Sequence, residues 1–62
     1  MNEERWLAES YKLRAEELRT LADLDEHLHT REMLAKIAKD YDRMAQTLDA
    51  IDRTRAILTK ER

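Results

Sequence analysis

The apolar residues in the second half of this 62-residue chain recur at alternating spacings of three and four residues. The stripe comprises Leu34, Ile37, Tyr41, Met44, Leu48, Ile51, Arg55 and Leu58, and only Arg55 in it is charged. This spacing keeps side chains on one face of an α-helix and is the a/d pattern of coiled coils. It predicts a long helix over residues 30–60, and Ala38 and Ala45 beside the stripe favour close approach of another helix.

The first half of the chain carries a second apolar stripe at helical spacing. Its members are Leu7, Tyr11, Ala15, Leu18, Leu21 and Ala22. This stripe predicts a helix over residues 3–24, with Asn2 as its N-cap. Glu3 and Glu4 would lie in the first turn, where negative charge complements the helix dipole.

The two stripes do not fit one continuous helix. Leu21 and Leu34 are 13 residues apart, which places them about 140° apart around a helix axis. A turn over residues 25–29 would return both stripes to a common core. The sequence therefore predicts an all-α fold, in which residues 1–62 form a single domain, an antiparallel two-helix hairpin.

The predicted turn contains no glycine and no proline, because the chain has neither residue. Asp23 and Asp25 are poor in helix interiors and favour caps and turns. Thr30 is the expected N-cap of the second helix. These polar residues, rather than glycine, are expected to end one helix and start the next.

The length of the chain favours self-association. A chain of this size buries only about 60% of the surface that its unfolded form exposes, and no cysteine is present to form a disulfide. The second predicted helix is longer by about 12 Å and leaves Ile57 and Leu58 without an intramolecular partner. We expect two hairpins to dimerise into a four-helix bundle, whose relative orientation the sequence leaves open.

The residues expected to form the helix contact and the association surface share an apolar character and helical spacing. They are Leu7, Tyr11, Leu18, Leu21, Leu34, Ile37, Tyr41, Met44, Leu48, Ile51, Ile57 and Leu58. The charge of Arg55 within the stripe has two explanations. Its guanidinium either stacks on the indole of Trp6 or extends from the contact to water.

Both histidines of the chain lie in the predicted turn. The polar residues around them are Asp23, Asp25, Glu26, His27, His29 and Glu32. Imidazole and carboxylate ligands suit zinc or iron, and Glu26-x-x-His29 matches a motif of di-iron helical bundles. Because the motif lies at the turn rather than in the core, we expect a solvated turn without a cofactor. Glu26, His27 and His29 remain weak metal-ligand candidates.

Catalysis is not indicated by the residue types present. The sequence lacks a Ser–His–acid order, a glycine-rich phosphate loop and a cysteine nucleophile. We therefore expect a non-enzymatic protein.

The C-terminal end of the chain is basic, through Arg53, Arg55, Lys60 and Arg62. A nucleic-acid-binding regulator is therefore the alternative function, although such residues also complement the dipole at a helix C-terminus. The net charge of −2 gives no general nucleic-acid footprint. No apolar run is long enough to span a membrane and no signal-peptide pattern follows Met1, so we expect a cytoplasmic protein.

Two blocks of the sequence have a distinctive pattern. They are WxAxxYxxRAxELRxLA over residues 6–22 and TRxxLxxIAxDYDRMA over residues 30–45. The combination resembles a group of short uncharacterised helical proteins from alphaproteobacteria, and LAKIAKDYDRMA is its more specific part. The resemblance implies a bacterial, cytoplasmic setting and no assigned activity. Members of the group often have Asp-Pro in the turn, where this chain has His27-Leu28.

Taken together, these patterns predict a small structural or interaction protein that self-associates through apolar helix stripes, with an unidentified protein as a further partner. Nucleic-acid binding through the basic C-terminal ends is the alternative. A metal-binding helical bundle is the third interpretation.

Overall fold

Two helices joined by a short turn make up the chain over residues 3–60, the part that the computed structural model describes. Helix α1 spans Glu3–Leu24 and helix α2 spans Leu28–Lys60. They pack side by side in opposite directions, which confirms the predicted all-α helical hairpin. The predicted N-cap Asn2 lies outside the described residues.

The contact between the helices is centred on alanines that recur every seven residues. They are Ala8, Ala15 and Ala22 in α1 and Ala38 and Ala45 in α2, and all five are buried. No larger side chain between residues 3 and 60 reaches the same degree of burial. Because a methyl group is the only side-chain atom at each of these positions, the two backbones can approach closely.

Larger apolar residues line the margins of the alanine contact. The half-buried members are Leu7, Tyr11, Leu18, Leu34, Tyr41 and Leu48. The rings of Tyr11 and Tyr41 contact each other across the helices, with centroids 5.6 Å apart and planes tilted by 44°. Tilted aromatic pairs of this kind contribute about 0.5–1.5 kcal/mol beyond the burial of their surface.

The predicted apolar stripe of α2 is divided by this arrangement. Its half-buried members contact α1, whereas Ile37, Met44 and Ile51 are 39%, 42% and 42% exposed. The cause is the position of the alanines: Ala38 faces α1, and Ile37 lies about 100° away from it around the helix. The helix contact is therefore rotated relative to the a/d line that the spacing predicts.

One margin of the contact carries a ladder of ion pairs between the helices. The basic residues of α1 and their acidic partners in α2 are Arg5 with Asp52, Lys12 with Asp49 and Arg19 with Asp42. The Lys12 Nζ–Asp49 Oδ2 distance is 3.2 Å. Exposed pairs of this kind contribute about 0.2–1 kcal/mol each. Because the order of the partners is reversed along α2, the ladder matches only the antiparallel arrangement.

Arg55 pairs with the first turn of α1. Its Nη1 lies 2.8 Å from Oε1 of Glu4, and the Arg55 side chain is 61% exposed. Trp6, the other predicted partner, is itself largely exposed. The side chain of Arg55 thus extends from the helix contact towards water and Glu4, the second of the two explanations considered for its charge.

The turn is closed by the side chain of Asp25. The Asp25 N–H donates to the carbonyl of Leu21 at 3.1 Å and continues the hydrogen bonding of α1. Oδ1 of Asp25 then accepts a hydrogen bond from the His27 N–H at 2.8 Å. This local bond makes a tight turn without glycine, and no residue between 3 and 60 has a positive φ angle.

Helix α2 begins two residues before the predicted start at residue 30. The Arg31 N–H donates to the carbonyl of His27 at 3.0 Å, which makes His27 the N-cap residue of the helix. The predicted N-cap, Thr30, therefore lies within the first turn of α2. The prediction was wrong because the side chain of Asp25 closes the turn early and leaves only residues 25–27 between the helices.

Replacing Ala15 with leucine tests the close approach of the helices. Ala15 is fully buried between them, so Ala15→Leu should force the backbones apart and lower the free energy of unfolding by about 1–3 kcal/mol. The measurement is denaturant unfolding followed by circular dichroism at one fixed chain concentration. Ala56→Leu on the exposed surface of α2 is the matched control. Equal stability of the two variants would show that the contact has room for larger side chains.

A charge reversal in the ladder tests its contribution to the pairing of the helices. Lys12→Glu should lower the free energy of unfolding by about 1 kcal/mol, because it places like charges opposite each other. Adding Asp49→Lys should recover most of the loss, and 1 M salt should reduce both effects. A double-mutant cycle measures the coupling. Strictly additive effects would mean that the two side chains do not interact across the hairpin.

Candidate association surface

The hairpin exposes more surface than a compact monomer of its mass. Its Cα radius of gyration is 15.1 Å, compared with about 10.6 Å for a compact domain of this length. Its accessible surface is 5399 Å², whereas about 4,200 Å² is typical of a folded monomer of 7.4 kDa. The surplus of about 1,200 Å² exceeds the ~800 Å² that each partner contributes to a standard protein interface.

Part of this surface is an apolar row along α2, here named the α2 stripe. It consists of Ile37, Met44, Ile51 and Leu58, which recur every seven residues. Leu58, beyond the end of α1, is the most exposed of the four at 60%. A row at seven-residue intervals drifts by only about 20° per repeat and follows one side of a helix.

The α2 stripe and the ion-pair ladder lie on opposite margins of the helix contact. Relative to Ala38, Asp42 is rotated by about 40° in one direction around α2, and Ile37 by about 100° in the other. The hairpin therefore has one face that is closed by charge pairs and another that is apolar. The apolar face is the better candidate for association, because covering it removes hydrocarbon from water without breaking ion pairs of the ladder.

Two open hollows follow the α2 stripe. The first has a volume of about 200 Å³ and is lined by Ile37, Asp40, Tyr41 and Met44. The second has a volume of about 410 Å³ and is lined by Thr47, Ala50, Ile51, Thr54, Arg55 and Leu58. Each contains four residues at positions i, i+3, i+4 and i+7, the set that surrounds an inserted side chain in coiled-coil packing.

Helix α1 contributes less apolar surface to this face. Leu7 and Leu21 lie on the same margin, and Leu21 is exposed. Arg14 lies between them at seven residues from each, and its Nη1 is 3.1 Å from Oε2 of Glu17. The charged side chain interrupts the row on α1, so the continuous apolar row belongs to α2.

The predicted interface residues thus fall into two groups. Those at the helix contact within the hairpin are Leu7, Tyr11, Leu18, Leu34, Tyr41 and Leu48. Those exposed to solvent are Leu21, Ile37, Met44, Ile51, Ile57 and Leu58. The structure brings the first group together and leaves the second available for another molecule.

A second exposed apolar row lies on the outer side of α1 and was not predicted as a surface of its own. Its members are Trp6, Leu13 and Leu24. The seven-residue interval between Trp6 and Leu13 is the signal in the sequence that could have identified it. This row is shorter than the α2 stripe and faces away from it.

The histidines at the turn do not come together with their acidic neighbours into a metal site. Nδ1 of His27 lies 3.2 Å from Oδ1 of Asp25, and the side chain of His27 is largely exposed. Glu26 and His29, the other metal-ligand candidates, are exposed as well. Over residues 3–60, no group of three or more potential ligands is placed to hold a metal ion.

The basic residues near the end of α2 point in different directions. Arg53 and Arg55 are separated by about 160° around the helix, and Arg55 is paired with Glu4. Arg53 and Lys60 are exposed, whereas Arg62 lies outside the described residues. No helix within residues 3–60 has an apolar stretch of the length needed to cross a membrane.

Comparison of the chain with protein-family models, with curated proteins and with solved structures finds no match.

Proposed function

We propose that the protein is a small, non-enzymatic self-association module, in which two hairpins pack through the α2 stripe into a four-helix bundle. The observation that supports this function is the α2 stripe itself. Four large apolar side chains lie in one row and are 39–60% exposed, while the buried residues between positions 3 and 60 are all alanines.

The energetics of a small chain support the proposal. Complete burial of a large apolar side chain is worth about 1.5–3 kcal/mol relative to leaving it exposed. The hairpin alone forgoes a substantial part of that gain at each position of the α2 stripe. Single cores in chains of this size seldom supply more than about 3–5 kcal/mol, and association is one of the usual ways to add to it.

The proposed role needs no reactive site. The helices would supply a defined apolar face, and the second hairpin would cover it, as helices do in bundles. The resemblance of residues 6–22 and 30–45 to short bacterial helical proteins supports a bacterial, cytoplasmic setting for such a module. The outer row of Trp6, Leu13 and Leu24 would remain available to a further protein partner.

The test is the solution mass of the protein, measured by light scattering on a size-exclusion column over a range of concentrations. The unmodified protein should have twice the mass of one chain. Met44→Glu should shift the protein towards the monomer, because it buries a charge in the apolar face. Leu13→Glu is the matched control: it makes a similar change on the outer side of α1 and should leave the dimer intact.

The result can contradict the proposal in two ways. A folded monomer at all concentrations would show that the α2 stripe does not mediate self-association. A dimer that is lost with Leu13→Glu but kept with Met44→Glu would show that the outer row of α1 forms the interface. Circular dichroism of each variant confirms that the helices remain folded.

A further inference from the structure

We propose that the outward side of α2 binds the phosphate backbone of a nucleic-acid duplex, independently of base sequence. This surface, here named the basic face, carries cationic side chains along the middle of the helix. They are Lys36, Lys39, Arg43 and Arg53. The proposal does not depend on self-association, and it differs from the C-terminal site considered from the sequence because the contact lies mainly in the middle of α2.

Ion pairing within the hairpin separates the charges of the two helices. The ladder pairs three basic residues of α1 with acidic residues of α2. The remaining basic residue of α1, Arg14, pairs with Glu17 of the same helix. Among residues 3–60, the charges that α1 leaves unpaired are therefore all acidic, whereas the unpaired lysines and arginines all lie on α2. The net charge of −2 conceals this separation.

The cations of the basic face are free to bind an anion. All four are exposed, and none has an ion-pair partner among residues 3–60. The nearest carboxylates are those of Glu32, at the N-terminal end of the face, and Asp40, beside it. Four cations against two carboxylates leave this side of α2 with an excess of positive charge, which attracts a polyanion.

The basic face is a third side of α2. Its residues lie within an arc of about 100° around the helix axis and extend over about 26 Å along it. The centre of the arc is about 110° from Ala38, which faces α1, and about 120° from the α2 stripe. A second hairpin packed on the α2 stripe would therefore leave the basic face of each copy exposed.

The composition of the basic face favours phosphate over the surface of another protein. Between Lys36 and Arg53, its uncharged members are Gln46 and Ala50. The face thus has no large apolar side chain over this length. The centre of a protein interface is apolar and depleted in charged residues, whereas interfaces with nucleic acid are more polar and much more positive.

The position of the aromatic residues favours a duplex over a single strand. Proteins that bind single strands without sequence preference stack the bases on aromatic side chains. The basic face has none over residues 36–53, because Tyr41 contacts Tyr11 between the helices and Trp6 belongs to α1. A straight row of cations can instead follow the phosphates of a duplex, whose charges lie about 1.7 Å apart along its axis.

The salt dependence of binding tests the proposal. Fluorescence anisotropy with a short labelled duplex DNA of mixed sequence should show binding that weakens steeply between about 50 and 200 mM salt. Contact of all four cations with phosphate predicts a slope of about −3 to −4 per chain in a plot of the logarithm of the association constant against the logarithm of the salt concentration. A second duplex of different sequence should bind alike. Absence of binding at the lowest salt, or an affinity that salt does not change, would overturn the proposal.

A pair of arginine variants locates the contact. Arg43→Gln should weaken binding to every duplex and reduce the size of the salt slope by about one. Arg14→Gln is the matched control, because it removes the same charge from α1 and should change both quantities much less. Equal losses in the two variants would show that total charge, rather than the basic face, determines binding. Circular dichroism of each variant verifies that the helices remain folded, and Lys39→Gln provides a second variant of the face.

Competition experiments distinguish a duplex from other polyanions. Unlabelled duplex should displace the labelled probe better than a single strand of the same sequence or polyglutamate, compared at equal concentrations of negative charge. Stronger displacement by the single strand would overturn the assignment to a duplex. Equal or stronger displacement by polyglutamate would identify the basic face as a site for an acidic protein instead. These readouts apply to a monomer and to a dimer, so a monomeric mass by light scattering would contradict the proposed self-association and leave this inference intact.

Discussion

The close approach of two methyl-lined helix faces determines the rest of this structure. Because Ala15 and Ala45 lie on the line of contact, the larger side chains are displaced to its margins. Tyr11 and Tyr41 fill one margin by contacting each other. Ile37 and Met44 lie further around α2 from the alanine line and remain exposed. An alanine contact thus holds two helices together while burying little of the hydrocarbon that the chain contains.

The two margins of this contact differ in chemistry and in what they contribute. The ladder that includes the Lys12–Asp49 pair fixes the direction and the register of the helices, although each pair adds little stability. The α2 stripe is only partly covered within one hairpin, since its members are 39–60% exposed. One side of α2 therefore determines how it pairs with α1, and the other side presents the apolar surface that another chain could cover.

The helical hairpin followed from the sequence because the two apolar stripes cannot share one face of a single helix. The rotation of α2 could not be predicted from the sequence, because Tyr41 and Met44 belong equally well to the same a/d stripe. Only the packing of Ala38 decides which of them faces α1. The summed charge of the first half did not indicate the ladder. Residues 1–31 are acidic overall, with five basic and eight acidic side chains, yet the ladder uses basic residues of this half. All residues of the α2 stripe were among the interface residues predicted from the sequence, but which of the predicted residues remain exposed depends on that rotation.

The extension of α2 beyond α1 also affects local stability. The residues after Arg55, which pairs with Glu4, form a short helical segment that is exposed throughout, and isolated helices of such length are marginal in water. In a single hairpin we expect this segment to open by local fraying, at a free-energy cost far below that of global unfolding. Its amide hydrogens would then exchange quickly in a free chain and slowly in an assembled one. If the proposed dimer forms, the order of the last turn of α2 would depend on the concentration of the chain.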